Sequence, residues 1–373
     1  MREAKSRSAP ALSVVIAGGG TGGHLYPGIA VARELVRRIP SATVTFAGTA
    51  RGLESRVVPA AGFALDLVRS AGLKGKSMSA RLRGVLMLPA SVLDAWRLLS
   101  RRRPAVVIGV GGYSAGPVVL LAAWRGIPTM VLEQNAVPGL TNRLLARWVS
   151  AAAVSYEETG SYFRGRAFVT GNPVRPEFFD AAGRVARAGN GRRGSAPRIL
   201  ILGGSQGAHV INVAMVAAAP QLARQFAGLE VVHQTGERDL AAVREGYERL
   251  GSSARVASFL DPVASEMTAA DLVICRAGAT TLAELAAAGS PAVLVPFGAA
   301  TDDHQRKNAA VLVAAGAAVV VDERELSGER LANAVNQLLV DPAKLDAMSE
   351  AMRRLAKPDA AGRIVDRVME LAQ

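Results

Sequence analysis

Two stretches of this chain follow one plan. Residues 13–36, SVVIAGGGTGGHLYPGIAVARELV, pass from a short apolar run through a glycine loop into a helix-period segment. Residues 198–219, RILILGGSQGAHVINVAMVAAA, do the same, with Gly203, Gly204 and Gly207 in the loop and His209 after it. Each stretch opens a series of alternating strand and helix patterns. Strands are expected at 13–17, 42–47, 105–109 and 128–132, then at 198–202, 230–234, 271–275 and 292–296. Parallel strands need a crossover, and crossover helices cover the sheet faces. The pattern therefore predicts an α/β protein with two Rossmann-like parallel-sheet domains, 11–178 and 198–357. Between them, 179–197 is rich in Gly and Arg and reads as a linker or surface loop. A short amphipathic helix over 358–373 is expected to pack back on the first domain.

The 373 residues suffice for two such cores. The single cysteine, Cys275, excludes an internal disulfide and a cysteine metal cluster and fits a reducing compartment. It reads as a small apolar strand residue. The N-terminus has basic residues before an apolar run, but that run is short and ends in three glycines, so it reads as a first strand. The uncharged stretch before Trp124 contains GVGGYSAGP, a strand-to-helix turn, which argues against a membrane span. The net charge of +13 is uneven. Residues 1–103 hold 17 Lys/Arg against 5 Asp/Glu, whereas 198–373 hold 17 against 21. The basic first half implies a polyanionic partner.

In parallel sheets, ligands sit at the carboxyl ends of the strands, where helix N-termini favour anions. Both glycine loops are thus expected to contact phosphate or diphosphate. GGGTGG (18–23) matches G-x-G-x-x-G, but the acid that a dinucleotide ribose needs is missing from the end of the second strand, which closes on Gly48 and Thr49 with Glu54 nearby. His24 follows this loop, either as a proton acceptor or as a locally packed ring. In CRAGATTLAELAAAG (275–289), Thr281 and Glu284 have capping-box spacing, and Glu284 is equally placed to accept from ribose hydroxyls. The polar loop FGAATDDHQRKNA (297–309) suits a sugar. No D-x-D, H-E-x-x-H, P-loop or cysteine pair occurs, so neither a dedicated metal site nor a cofactor is expected.

Residues 73–104 combine Lys74, Lys76, Arg81, Arg83, Arg97 and Arg101–Arg103 with an apolar stripe of Leu82, Val85, Leu86, Pro89, Val92, Leu93 and Trp96. Pro89 should divide the segment into two short helices. The charge concentration suits an anionic bilayer surface, and the scarcity of interleaved aromatics argues against nucleic acid.

GGGTGGHLYPGIAVA, GVGGYSAGP, EQNAVPGLTNR, TGNPVR, GGSQGA, CRAGATTLAEL and DDHQRKNA occur in that order. The ordered set resembles the glycosyltransferase family 28 enzymes that convert lipid I into lipid II in bacterial peptidoglycan synthesis. The resemblance covers about 12–373, although Leu132 stands where many relatives have histidine. It implies the GT-B architecture, two Rossmann-like domains facing a cleft. It implies inverting transfer of N-acetylglucosamine from UDP-N-acetylglucosamine to the muramoyl C4 hydroxyl of lipid I. By resemblance, Thr21, Gly22, Gly23, Asn135, Arg175, Ser205, Leu260, Ala279, Thr280, Thr281, Leu282, Ala283, Glu284 and Gln305 contact the donor. Glu284 is expected on the ribose, Gln305 on the sugar, Ser205 near the diphosphate and backbone near Leu260 on the uracil. His24 is the expected base, with Glu133 the alternative. The resemblance also implies a peripheral location on the cytoplasmic face of the cell membrane, with cell-wall synthesis proteins as further partners.

Overall fold

The computed structural model describes residues 12–70, 87–187, 196–204, 207–298 and 303–373. The chain forms two units: Met1–Pro173 with Asp359–Gln373, and Val174–Pro358.

The first unit is built on strands β1 (Ser13–Gly18), β2 (Thr43–Gly48), β3 (Ala64–Leu67), β4 (Val106–Gly111), β5 (Thr129–Glu133), β6 (Ala151–Val154) and β7 (Ala167–Val169). They form one parallel sheet in the order β3-β2-β1-β4-β5-β6-β7. Its helices are α1 (Gly22–Arg38), α2 (Glu54–Ala60), α3 (Leu88–Arg102), α4 (Ala115–Trp124) and α5 (Leu140–Leu145). Strand periodicity divides the core between the two faces. Val14 and Ile16 of β1 join one cluster with Leu25 and Ile29 of α1, while Val15 and Ala17 join the opposite cluster with Leu99 of α3 and Val118 of α4. Because both faces are covered, the strands read as continuous apolar runs, which is why the central ones are visible in the sequence.

The second unit repeats the design with β8 (Arg198–Leu202), β9 (Glu230–Gln234), β10 (Arg255–Ala257), β11 (Leu272–Cys275), β12 (Ala292–Leu294) and β13 (Ala318–Val320). These are parallel in the order β10-β9-β8-β11-β12-β13. Its helices are α6 (Pro176–Arg187), α7 (His209–Gln225), α8 (Leu240–Arg249), α9 (Val263–Ala269), α10 (Ala279–Ala288), α11 (His304–Ala314), α12 (Gly328–Leu339) and α13 (Pro342–Arg354). Ile199 and Ile201 face one cluster, Leu200 and Leu202 the other. Cys275 is buried and free, and burial pushes its thiol up to about 12, which leaves it unreactive. The last helix, α14 (Ala360–Leu371), belongs to the first unit, where Ile364, Val365 and Val368 are fully buried in the α1 cluster and Asp366 pairs with Arg38 at 2.5 Å.

Two expectations change. The segment assigned to the end of the first domain and the start of a linker is helix α6, and it belongs to the second unit because Phe178 and Ala181 are buried in that unit's core. Pro89 lies in the first turn of α3, where its missing N–H is harmless, and that helix runs unbroken from Leu88 to Arg102; the earlier of the two expected helices falls outside the described residues. The Thr281–Glu284 capping box does not form: the N-cap of α10 is Gly278 and no side chain caps it. The expectations for 73–86, 188–195, Ser205 and positions 299–302 of the polar loop lie outside the described residues. Among the described residues, no helix is long and apolar enough to cross a membrane.

Candidate active site

Each sheet reverses its strand order at one point, between β1 and β4 in the first unit and between β8 and β11 in the second. Crevices for ligands open at the strand carboxyl ends there. The expected site residues divide between these two places.

In the first unit the β1–β4 register shifts after Ala17, and Gly18 pairs with Gly111. His24, the third residue of α1, is half-buried at this junction. Its ring lies so close to Gly111 that a Cβ there would come within 2.7 Å of Cδ2, and Gly111 has a φ of 101° that favours glycine. The Thr21 hydroxyl, on the N-cap residue of α1, is 3.3 Å from Nδ1. Burial lowers the imidazole pKa below 6.5; the charge of Glu133 and a backbone hydrogen bond to Gly19 oppose this without cancelling it. The ring is therefore neutral at pH 7 and able to accept a proton. Gly22 and Gly23 form the first turn of α1 beside it.

Glu133 closes β5 and is buried. Its Oε1 accepts from the backbone N–H of Asn135 at 3.0 Å and from Asn135 Nδ2 at 3.1 Å. Its Oε2 accepts from the Gly139 N–H at 3.0 Å and from Asn142 Nδ2 at 2.8 Å. Four donors on one carboxylate organise the loop after β5, and the charge of Glu133 acts on the His24 ring. The Asn135 side chain, expected on the donor, is engaged in the same network.

In the second unit, Glu284 is buried in α10 and pairs with Arg175 Nη2 at 3.0 Å. Burial raises its pKa, and Arg175 opposes the rise. Within Ala279–Glu284, Ala279, Thr280 and Leu282 are also buried, leaving Thr281 and Ala283 partly open at the start of the helix. Gln305, in the first turn of α11, holds two strand-end loops together: its Oε1 accepts from the Ala277 N–H at 3.2 Å and the Phe297 N–H at 2.9 Å. The Nε2 of the same amide is a donor. The Leu260 N–H is donated to Gln234 Oε1 at 3.0 Å, and the adjacent Phe259 is 56% exposed.

Sequence reasoning missed three features. Phe259 is an exposed aromatic beside the expected uracil contact. Arg276 bonds Glu323 at 2.7 Å and lies over the Phe297 ring, stiffening the loops that Gln305 joins. A polar chain links Tyr247, His233, Asn212, Asp239 and His209 behind the second glycine loop. Burial lowers the His233 pKa to about 3, so this ring is neutral. The HQTG run at the end of β9 was the available signal for the last of these.

A separate apolar face crosses α3, α4 and α5. Leu88, Val92, Leu93 and Trp96 are exposed on α3, Trp124 (65% exposed) ends α4, and Leu140 and Leu144 are exposed on α5. Arg125 lies 4.6 Å over the Trp96 ring, Trp124 meets Trp148 edge-on at 6.2 Å, and Arg147 lies 5.6 Å over Trp148. Arg143, Arg147 and Arg164 line an adjoining groove with Tyr162.

Residues 14–154 match the glycosyltransferase family 28 N-terminal domain, and 198–364 match the glycosyltransferase family 28 C-terminal domain. A UDP-N-acetylglucosamine--N-acetylmuramyl-(pentapeptide) pyrophosphoryl-undecaprenol N-acetylglucosamine transferase of Anaeromyxobacter sp. strain K is 48% identical over 97% of this chain and 94% of its own. The crystal structure of MurG from Acinetobacter baumannii superposes with a TM-score of 0.75 at 29% identity, covering 97% of this chain and all of that one. A UDP-GlcNAc 2-epimerase from Neisseria meningitidis, solved bound to UDP-GlcNAc, shares the fold at a TM-score of 0.68 and 14% identity, over 96% of this chain and all of its own. With two parallel-sheet units of GT-B type, both family domains and a near full-length relative at 48% identity, the chain belongs to glycosyltransferase family 28.

Proposed function

We propose that this glycosyltransferase moves N-acetylglucosamine from UDP-N-acetylglucosamine to the C4 hydroxyl of the muramoyl residue of lipid I, giving lipid II and UDP. The observation that carries this reading is the near full-length likeness to a relative named for that transfer. The likeness to the epimerase is one of fold.

The chemistry follows from the two sites. The acceptor oxygen attacks the anomeric carbon with inversion, its proton passes to His24, and the bond from that carbon to the UDP oxygen breaks with the electron pair leaving on UDP. A neutral imidazole fits the first task. Its 3.3 Å contact with the Thr21 hydroxyl is long enough to be exchanged for the acceptor hydroxyl. In the second unit, Glu284 accepts from the ribose hydroxyls, Gln305 donates through Nε2 to the sugar, and Phe259 stacks on the uracil beside Leu260. The α10 N-terminus and Arg175 offset charge growing on the diphosphate. Ser205 and the Thr21–Gly23 turn are further donor contacts in this reading.

The α3–α5 face supports a peripheral position at the cell membrane, on the cytoplasmic side in this reading. Tryptophans beside arginines suit the boundary between headgroups and acyl chains. The lipid acceptor would reach the site from that surface.

The test is radiolabel transfer from UDP-N-acetylglucosamine to a lipid I analogue, with diacylglycerol as control acceptor. Label in the lipid II product alone is expected. Label on diacylglycerol, or an epimerised sugar nucleotide formed without acceptor, would replace the reading.

A further inference from the structure

We propose that Glu54 is a positioning residue for the transfer: its buried carboxylate is the permanent occupant of the first glycine loop and sets where Thr21 and His24 stand. The proposal builds on the reading of His24 as the base.

GGGTGG has the form that wraps a pyrophosphate in dinucleotide-binding folds. In this protein a carboxylate of the chain itself fills the wrap. Glu54, the first residue of α2, is 1% exposed. Its Oε2 accepts from the Gly20 N–H at 2.8 Å, and its Oε1 accepts from both the N–H and the hydroxyl of Thr49 at 2.8 Å. Burial alone would raise its pKa, but these donors outweigh burial and hold it below 4.5, so the group is an anion.

Three glycines, one after β1 and two at the β2–α2 connection, close around that anion. A Cβ on Gly19, after β1, would fall 2.4 Å from the Glu54 side chain. A Cβ on Gly48, at the end of β2, would fall at 2.6 Å, and one on Gly52 at 2.1 Å. One carboxylate therefore accounts for glycine at all three positions. It also takes the Gly20 N–H and presents like charge to any phosphate approaching that amide. The acid that looked misplaced for a ribose holds the loop instead.

The consequence reaches His24 along the backbone. Gly20 directly precedes Thr21, whose carbonyl accepts from the His24 N–H at 3.3 Å and whose hydroxyl meets the ring. Gly18, Gly19 and Gly20 all have positive φ, so little in their own conformational preferences holds this turn. Glu54 supplies the restraint by tying it to the β2 end.

Glu54→Gln keeps the shape but turns one acceptor oxygen into an amide donor facing a donor. The measurements are kcat, donor affinity, and the imidazole resonances of histidine-labelled protein. His209, His233 and His304 lie in the second unit and serve as internal references. We expect kcat to fall about 100-fold, the effect of a displacement near 1 Å at a reacting group. Donor affinity should fall less than kcat, and the three reference resonances should stay unchanged while the His24 resonance moves. Wild-type kcat together with an unmoved His24 resonance would overturn the proposal, whatever the melting temperature does. Should Glu54→Gln fail to fold, Thr49→Val removes a single donor and should give a smaller kcat loss with a shift of the same resonance; no change in either has the same force. A wild-type protein that transfers no sugar would sink the reaction reading, and the His24 resonance would still report whether Glu54 places the ring.

Discussion

At neutral pH the His24 ring carries no charge, because burial at the β1–β4 junction outweighs the pull of Glu133. Replacing it with alanine is expected to lower kcat by about 100- to 10,000-fold, the range of a lost general base, with donor binding unchanged. The pH profile should carry the same signature. Only the unprotonated ring accepts a proton, and its pKa lies below 6.5, so turnover should stay level down to that pH and fall only in more acid solution. An acid limb that turns above 6.5 would contradict burial as the controlling effect. Glu284 makes its own case. It is buried, and Arg175 is its ion-pair partner. Glu284→Ala removes the ion-pair partner of Arg175 at this position and the expected ribose acceptor. Titration calorimetry should show donor affinity reduced by about tenfold or more, equivalent to roughly 1.4 kcal/mol.

Among the elements, α3 is amphipathic in an unusual sense, since much of its apolar stripe faces outward. Trp96, Trp124 and Trp148 come from three separate places in the chain, and Arg125 and Arg147 lie over two of their rings. Changing Trp96 and Trp124 together to serine should reduce sedimentation with vesicles of anionic phospholipid while leaving the melting temperature in place. Undiminished sedimentation would mean that this face is simply solvated. The polar chain behind α7 yields a stability prediction. His233 has a folded pKa near 3 against an ordinary 6.5, so the unfolded chain binds a proton in that window that the folded chain refuses. This contribution makes the second unit less stable as pH falls from about 6.5 toward 3, by about 1.4 kcal/mol per pH unit. Melts of wild type and His233→Gln across that range should show a weaker acid dependence in the variant.

At the scale of the molecule, the chain leaves the first unit at Pro173 and rejoins it at Asp359. The returning helix α14 buries Ile364, Val365 and Val368 completely. Each such side chain contributes roughly 1.5–3 kcal/mol through area removed from water. Ending the chain at Pro358 should therefore lower the melting transition of the first unit by calorimetry and leave that of the second near its wild-type position. Equal losses in both transitions would show that α14 serves more than the unit it packs in.

By itself the sequence determined the architecture and the family. Doubly covered parallel strands must be apolar throughout, so β1, β2, β4, β5, β8, β9, β11 and β12 announce themselves. Edge strands such as Ala167–Val169 and Arg255–Ala257 are too short to carry a period, and they escaped notice. Glycine loops followed by helices located both switch points, and the order of the motifs indicated the family. Tertiary structure decided what each polar group does once its neighbours are in place. The outward stripe of α3 acquires its companions only when α4 and α5 bring in Trp124 and Leu144. Glu284 became an ion-pair partner of Arg175 rather than a cap, and the Glu133 carboxylate gathered four donors from the loop after β5. Glu54 turned inward to fill a loop whose pattern suggested phosphate. Spacing along a chain reports backbone periodicity, whereas the partner of a charge is set by whichever donors the fold delivers to it from distant segments, and burial then makes that choice energetically binding.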